Sequence, residues 1–262
     1  MRGIKIASPL FIVREDAQRD LYGTLERLAR AGFEGVELLS LFGRPAQEIR
    51  ARLDALGMVA IGDHVPLGDL LAEPERVLAQ YQVLGCDYLT IAWPDRAIDS
   101  RHADFAATLE KLGRAAACVA QAGMTPLYHN HDFEIADDAW IPALFAACAP
   151  HGLRFEPDLG WMATTGKDPA AYLRDYGHLS PVLHFKDICA GMAAGEGEPG
   201  GAHFVFRPTG YGTVNFPALM PLSLACAPAW IVADHDYAYG RDAYDELALS
   251  AQYIRALLAL YV

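Results

Sequence analysis

Short apolar runs of strand length alternate along this chain with longer stretches whose apolar residues recur at helical spacing. Ile4 to Ala7 is the first run and is followed by Ser8-Pro9; Asp16 to Ala31 then carries Leu21, Leu25 and Leu28 on one helical face before a stopping Gly32. The same grammar predicts strands at Gly35 to Leu38, Val59 to Gly62, Tyr88 to Ala92 and Thr125 to His129, with helices at Pro45 to Leu56, Pro74 to Leu84 and Phe105 to Ala122 between them. Farther on it predicts a helix over Ala139 to Cys148, a strand over Leu153 to Phe155, and a helix over Pro169 to Tyr176 with Asp168 as N-cap. Val182 to Phe185 and Trp230 to Ala233 read as the last two strands, and Phe216 to Leu224 and Asp242 to Leu260 as the helices after them. The Gly-rich stretch from Asp187 to Gly212 reads as a long loop, and a loop of that length in a compact domain is expected to be a mobile lid.

Eight strand-helix units can be counted, with no linker or low-complexity break. Parallel strands need helical crossovers and cover on both faces, so the expectation is an α/β protein, one (β/α)8 TIM barrel spanning residues 1–262. An open doubly wound sheet is the alternative, but the first strand-helix turn lacks a Gly-X-Gly-X-X-Gly fingerprint. There is also no P-loop, Gly-X-Ser-X-Gly elbow or His-Glu-X-X-His helix.

Charge narrows the partners. A formal net charge of -12 repels phosphate backbones, which weighs against nucleic acid and favours a small, neutral or metal-chelated ligand. Five scattered cysteines without Cys-X-X-Cys spacing suit buried thiols in a reducing cytosol. The apolar N-terminus carries Arg2 and Lys5 and reads as a strand rather than a signal peptide; the apolar C-terminal end is broken by Gln252 and Arg255. A soluble cytoplasmic protein without a membrane partner is expected, and a homo-oligomer is left open.

In a parallel barrel the active site gathers at the carboxyl ends of the strands. Those ends are polar here: Glu37, His64, Trp93, His129 and His131, Glu156 and Asp158, His184 and Lys186, and Asp234, His235 and Asp236. On an extended backbone Leu127, His129 and His131 share one face and Asn130 takes the other, which makes a metal corner. Each residue has a plainer role open to it. His129, His131 and His184 could be hydrogen-bonded core histidines, Asp158 could cap the turn into Leu159-Gly160-Trp161, and Asp234 with Asp236 could be a solvated edge. Core packing does not favour such residues at strand after strand, so a shared site is the better account. His129, Asp158, His184 and Asp234 form a two-histidine, two-carboxylate set suited to one divalent ion, whether manganese, cobalt, zinc or iron(II).

Tyr128-His129-Asn130-His131-Asp132-Phe133-Glu134, Asp158-Leu159-Gly160-Trp161, Gly166-Lys167-Asp168-Pro169, Leu183-His184-Phe185-Lys186-Asp187, Gly210-Tyr211-Gly212-Thr213-Val214-Asn215-Phe216 and Trp230-Ile231-Val232-Ala233-Asp234-His235-Asp236 together resemble the sugar phosphate isomerase/epimerase family of xylose isomerase-like TIM barrels. The resemblance spans essentially the whole chain and implies a divalent metal held by Glu, Asp, His and Glu at strands five to eight. Those positions fall on His129, Asp158, His184 and Asp234, so the first departs to His and the last to Asp; Glu134, Glu156 or His131 could supplement them. It further implies that Lys186 faces the substrate, the plainer reading being an ion pair with Asp187 or Glu156. An endonuclease of the same family is disfavoured by the acidic charge and by Trp161 where that enzyme has a further His. The His-Asn-His letters at 129–131 are not the HNH nuclease motif.

The expected activity is a metal-dependent isomerase or epimerase of carbohydrate metabolism, moving a proton beside the carbonyl of a sugar, sugar phosphate or polyol ketone. Lys186, Glu156 and His131 are the expected catalytic groups, and Glu37, His64, Trp93 and Trp161 the expected substrate contacts. A lyase or dehydratase acting on a keto-sugar or keto-inositol is the near alternative, and a metal-free sugar-binding or regulatory barrel the distant one.

Overall fold

The apolar runs become strands in the computed structural model, which describes residues 3–91, 94, 98–193, 195 and 203–261. The strands are β1 (Lys5–Pro9), β2 (Gly35–Leu38), β3 (Val59–Val65), β4 (Tyr88–Ile91), β5 (Thr125–His129), β6 (Arg154–Glu156), β7 (Val182–Ala190), β8 (Phe204–Arg207) and β9 (Trp230–Asp234). Between them lie α1 (Arg14–Arg30), α2 (Ala46–Leu56), α3 (Leu67–Ala72), α4 (Pro74–Leu84), α5 (Phe105–Gln121), α6 (Asp132–Ala136), α7 (Trp140–Cys148), α8 (Leu159–Thr164), α9 (Pro169–Tyr176), α10 (Phe216–Ala225) and α11 (Ala243–Leu258). Asp168, Asn215 and Asp242 cap α9, α10 and α11 through their side chains, offsetting helix-end N–H groups that would otherwise lack partners.

The sheet runs in the order β6-β5-β4-β3-β2-β1-β9-β7-β8, and every pairing is parallel except β7 with β8. The sheet curls until β6 and β7 meet through a single parallel bridge between Asp158 and His184, where the His184 amide donates to the Pro157 carbonyl at 3.0 Å. An open doubly wound sheet would leave those two strands apart.

Alternation along the strands separates two cores. Ala7, Ile61, Leu127, Val182, Trp230 and Val232 fill the inside of the curl, while Tyr128, Leu183, Phe185 and Ile231 face the helices. Gly35 lets this inner layer close, because a Cβ there would lie 2.8 Å from Ile61 and 2.9 Å from the Trp230 ring. The next inward positions above that plug are His129 on β5, His184 and Lys186 on β7, and Asp234 on β9. β3 breaks strict alternation: Asp63 accepts from the Tyr81 hydroxyl of α4 at 2.8 Å while His64 lines the cavity. A register shift against β2 at Val36/Glu37 accompanies the break.

Two expectations are corrected. The stretch from Asp187 to Gly212 is not all loop: β7 continues to Ala190 and pairs antiparallel with β8, because Ile188, Val205 and Phe206 bury their side chains. Thr213 ties the base of this hairpin by donating from its amide and hydroxyl to Ile188 O at 2.7 and 2.8 Å. Residues 194 and 196–202 of the expected lid lie outside the described residues. Short helices α3, α6 and α8 occupy segments read from sequence as connections, since one or two turns carry too few apolar positions to show a period. The fourth strand is described as far as Ile91; its expected last residue, Ala92, is outside the described residues.

Candidate metal and substrate site

A cavity of about 460 Å³ opens above the inner plug. Glu37, His64, His129, His131, His184, Lys186, Asp234 and Asp236 supply its polar lining, and Pro9, Leu10, Phe11, Leu38, Leu39, Val65, Pro66 and Trp161 its apolar wall. Glu156 and Asp158 are fully buried and do not line the cavity. Trp93, expected at the end of the fourth strand, is outside the described residues.

The strand ends bring these side chains together in two adjoining groups. In one, His64, His129, Glu156 and His184 each offer a donor atom within 4.8 Å of the others. His64 Nε2 is 3.1 Å from Glu37 and 3.4 Å from Glu156, and His184 Nε2 is 3.3 Å from Glu37 and 3.5 Å from Glu156. In the other, Asp158, His184 and Asp234 converge, with His184 Nδ1 and Asp234 Oδ2 2.9 Å apart. Of the four ligands read from sequence, His129 therefore belongs with the first group and Asp158 and Asp234 with the second, while His184 joins both; His129 Nε2 still lies 3.8 Å from Asp158.

Lys186 is fully paired. Its ammonium is 3.1 Å from Asp158, 3.2 Å from Asp234 and 2.7 Å from Asp236, and 5.0 Å from the centre of the Trp161 ring. The plainer sequence reading, a pair with Asp187 or Glu156, is replaced by these three carboxylates, because Asp187 is the next residue on β7 and its carboxylate accepts from Gly210, Gly212 and Val214 on another element. Asp236, for which a solvated edge is the plainer role open from sequence, is the nearest of the three. Asn130 joins strand ends by accepting from the Asp158 amide at 2.9 Å, and Asp158 caps α8 by accepting from the Trp161 amide at 2.8 Å. Gly160 permits that turn to sit against β7, since a Cβ there would be 2.5 Å from the Lys186 carbonyl.

The local field follows from burial opposed by charge. Burial alone would keep the imidazoles neutral, but Glu37 and Glu156 push His64 up to about 10 and hold His184 well above its ordinary value. Burial and the neighbouring imidazoles His184 and His64 drive His129 well below. Burial would also strip the proton from Lys186, but Asp158, Asp234 and Asp236 outweigh it and keep the ammonium charged. Burial raises Asp158 to about 6, whereas Lys186 and His184 overcome burial at Asp234 and hold it below the carboxylate range. The cluster thus demands positive charge among its carboxylates. His64 Nε2, His129 Nδ1, Glu156 Oε1 and His184 Nε2 are buried polar atoms without a hydrogen bond, as metal donors would be. The residues fit a divalent ion.

Solved structures of xylose isomerase-like TIM barrels resemble this curled α/β sheet in fold. The chain is similar to a sugar phosphate isomerase/epimerase from Parabacteroides distasonis ATCC 8503, at 19% identity and TM-score 0.77 over 98% of this chain and 95% of that one. It is similar to the IolI protein with a binding zinc atom, at 10% identity and TM-score 0.77 over 99% of each chain. It is also similar to the probable 3-DHS dehydratase involved in petrobactin synthesis from Bacillus anthracis, at 14% identity and TM-score 0.75 over 96% of this chain and 99% of that one. At such identities the likeness is one of fold. No protein-family model matches the sequence, and no curated protein matches it significantly.

Sequence reasoning missed the apolar wall. Pro9 ends β1 with Leu10 and Phe11 after it, and Leu38 ends β2 with Leu39 after it; the same strand-end rule that singled out the polar residues could have found them. It also missed Thr90, whose hydroxyl donates to Glu156 at 2.9 Å and fixes the carboxylate.

Proposed function

We propose that this chain is a metal-dependent isomerase or epimerase on a complete (β/α)8 barrel, moving a proton on the carbon beside the carbonyl of a sugar or polyol ketone. The observation that carries the reading is the convergence of buried imidazole and carboxylate atoms without hydrogen bonds under a cavity with an apolar wall. A divalent ion bound there would supply Lewis acidity toward the carbonyl oxygen and lower the cost of the charge that develops on it. Its donors would be drawn from the two adjoining groups, His64, His129, Glu156 and His184 or Asp158, His184 and Asp234.

The protein's own groups do the rest. Lys186, clamped by three carboxylates, holds a fixed positive charge at the cavity floor without reorganising. His131 lines the cavity 5.9 Å, ring centre to ring centre, from Trp161 and is placed to take or return the proton of a substrate resting there. Trp161, Leu10 and Phe11 offer apolar surface to the C–H face of a sugar and exclude water from the reacting carbon. A dehydratase or lyase begins with the same proton removal, and the likeness to a probable dehydratase supports it as the second reading.

The test is incubation with a panel of keto-sugars and polyol ketones in deuterated water, followed by NMR. Deuterium entering beside the carbonyl with retained or inverted sugar product supports isomerisation or epimerisation, while an unsaturated product selects the lyase. No exchange and no turnover across the panel with metal-loaded protein would contradict the proposal.

A further inference from the structure

The two groups of donors share His184, so an ion can be placed in either, and the contacts around them distinguish the two. We infer that the divalent ion is held by His64, His129, His184 and Glu156, and that Asp158 and Asp234 are not ligands but the seat of a permanent internal cation, Lys186. The assignment rests on the metal-dependent reading above and deepens it.

The two nitrogens of His184 face different partners. Nδ1 lies 2.9 Å from Asp234, in hydrogen-bond contact, whereas Nε2 points among Glu37, Glu156 and His64 with no hydrogen bond. A carboxylate that holds one imidazole nitrogen so that the other can bind metal is the ordinary arrangement behind a histidine ligand. Asp234 is then a positioning residue. The same Asp234 oxygen, Oδ2, and Asp158 Oδ2 face the Lys186 ammonium at 3.2 and 3.1 Å, Asp158 Oδ1 accepts at the α8 cap, and Asp234 Oδ1 is buried without a hydrogen bond. An ion bound between those aspartates would have to displace a buried lysine held by three carboxylates.

The first group needs no displacement. Glu156 has Oε2 bonded to Thr90 and Oε1 buried without a hydrogen bond; His64 Nε2 and His129 Nδ1 are likewise buried without one. Donors about 2.0–2.2 Å from a tetrahedral ion are about 3.3–3.5 Å apart. His184 Nε2 already lies 3.5 Å from Glu156 Oε1, and His64 Nε2 lies 3.4 Å from the other oxygen of that carboxylate, Oε2. Charge closes as well, because Glu156 with its neighbour Glu37 offsets a divalent cation among neutral imidazoles. Replacing the carboxylate expected at strand five by His129 fits a site that has moved toward β3 and its His64.

X-ray absorption of the zinc-loaded wild-type protein reads the ligands directly and needs no variant. Three imidazoles on zinc are expected; a single imidazole, or His184 with two aspartate carboxylates, overturns the assignment. Zinc titration of variants provides the second reading. His64→Ala and Glu156→Gln should weaken zinc binding by more than about 100-fold, the effect of losing a ligand. Asp234→Asn should keep three imidazoles and weaken binding by about 10- to 100-fold, the usual effect behind a ligand. Asp158→Asn should change it by less than about 10-fold. Zinc bound normally by His64→Ala but lost by Asp158→Asn would overturn the inference alone, leaving the metal-dependent function standing. Wild-type protein that binds no zinc, manganese, cobalt or iron(II) would overturn both.

Discussion

Removing the Asp187 carboxylate should loosen the loop that closes behind β7, and the cost can be worked from its contacts. Asp187 is fully buried; one oxygen accepts from the Ile188 amide at 2.9 Å and the Val214 amide at 3.0 Å, the other from Gly210 at 2.9 Å and Gly212 at 2.8 Å. Gly212 is required for the approach, since a Cβ there would sit 2.2 Å from that carboxylate. Asp187→Ala abandons four amide donors, each costing roughly 1–3 kcal/mol if left buried and unpaired. Gly210, Gly212 and Val214 are half-buried, so water recovers part of this, and a loss of about 3–5 kcal/mol is expected. Asp187→Asn keeps one acceptor but turns an NH2 group on the other pair of donors, so about 2–3 kcal/mol should be lost. Urea unfolding of both variants gives the energies, and hydrogen exchange should show lost protection at residues 210–214 first. Asp187→Asn within 0.5 kcal/mol (about the surface-substitution range) of wild type, with those amides still protected, would refute the cradle.

Other consequences follow from single contacts. Glu134, buried between the Tyr128 hydroxyl and the His131 amide, is pushed by burial up to about 8 from 4.5, so it folds protonated. Its contribution to stability is full below pH 4.5 and is lost as pH rises toward 8; Glu134→Gln should flatten that slope by at most about 1.4 kcal/mol per pH unit, measured by urea unfolding across pH 5–8. Gly160→Ala should push α8 off the Lys186 backbone, costing about 1–3 kcal/mol in thermal or urea unfolding. Lys186→Met should retain zinc yet lose roughly 100-fold or more in solvent deuterium exchange, because a fixed charge at the developing oxyanion is gone; unchanged exchange would remove Lys186 from the chemistry.

The period-two pattern made the inner face of β5, β7 and β9 legible, so His129, His184, Lys186 and Asp234 could be placed at the site before any coordinates. It failed where the backbone departs from its period. The register shift at β2 and β3 puts Asp63 outside and His64 inside, and no spacing in Val59 to Val65 announces it. The strand β8 was hidden because Phe204 to Arg207 is short and flanked by glycines, and its pairing depends on β7 running past the sheet. Ligand grouping was not legible at all: which nitrogen of His184 faces which carboxylate, and the three-way claim on Lys186, are set by side-chain directions from the separate ends of β2, β6, β7 and β9.

Metal stoichiometry tests the central claim most directly. Wild-type protein, stripped with a chelator and then incubated with zinc, manganese, cobalt or iron(II), should take up one equivalent per chain by elemental analysis after desalting. With that equivalent it should regain the deuterium exchange that the stripped protein has lost. Protein that retains none of these ions, or exchanges equally fast when stripped, would contradict the account.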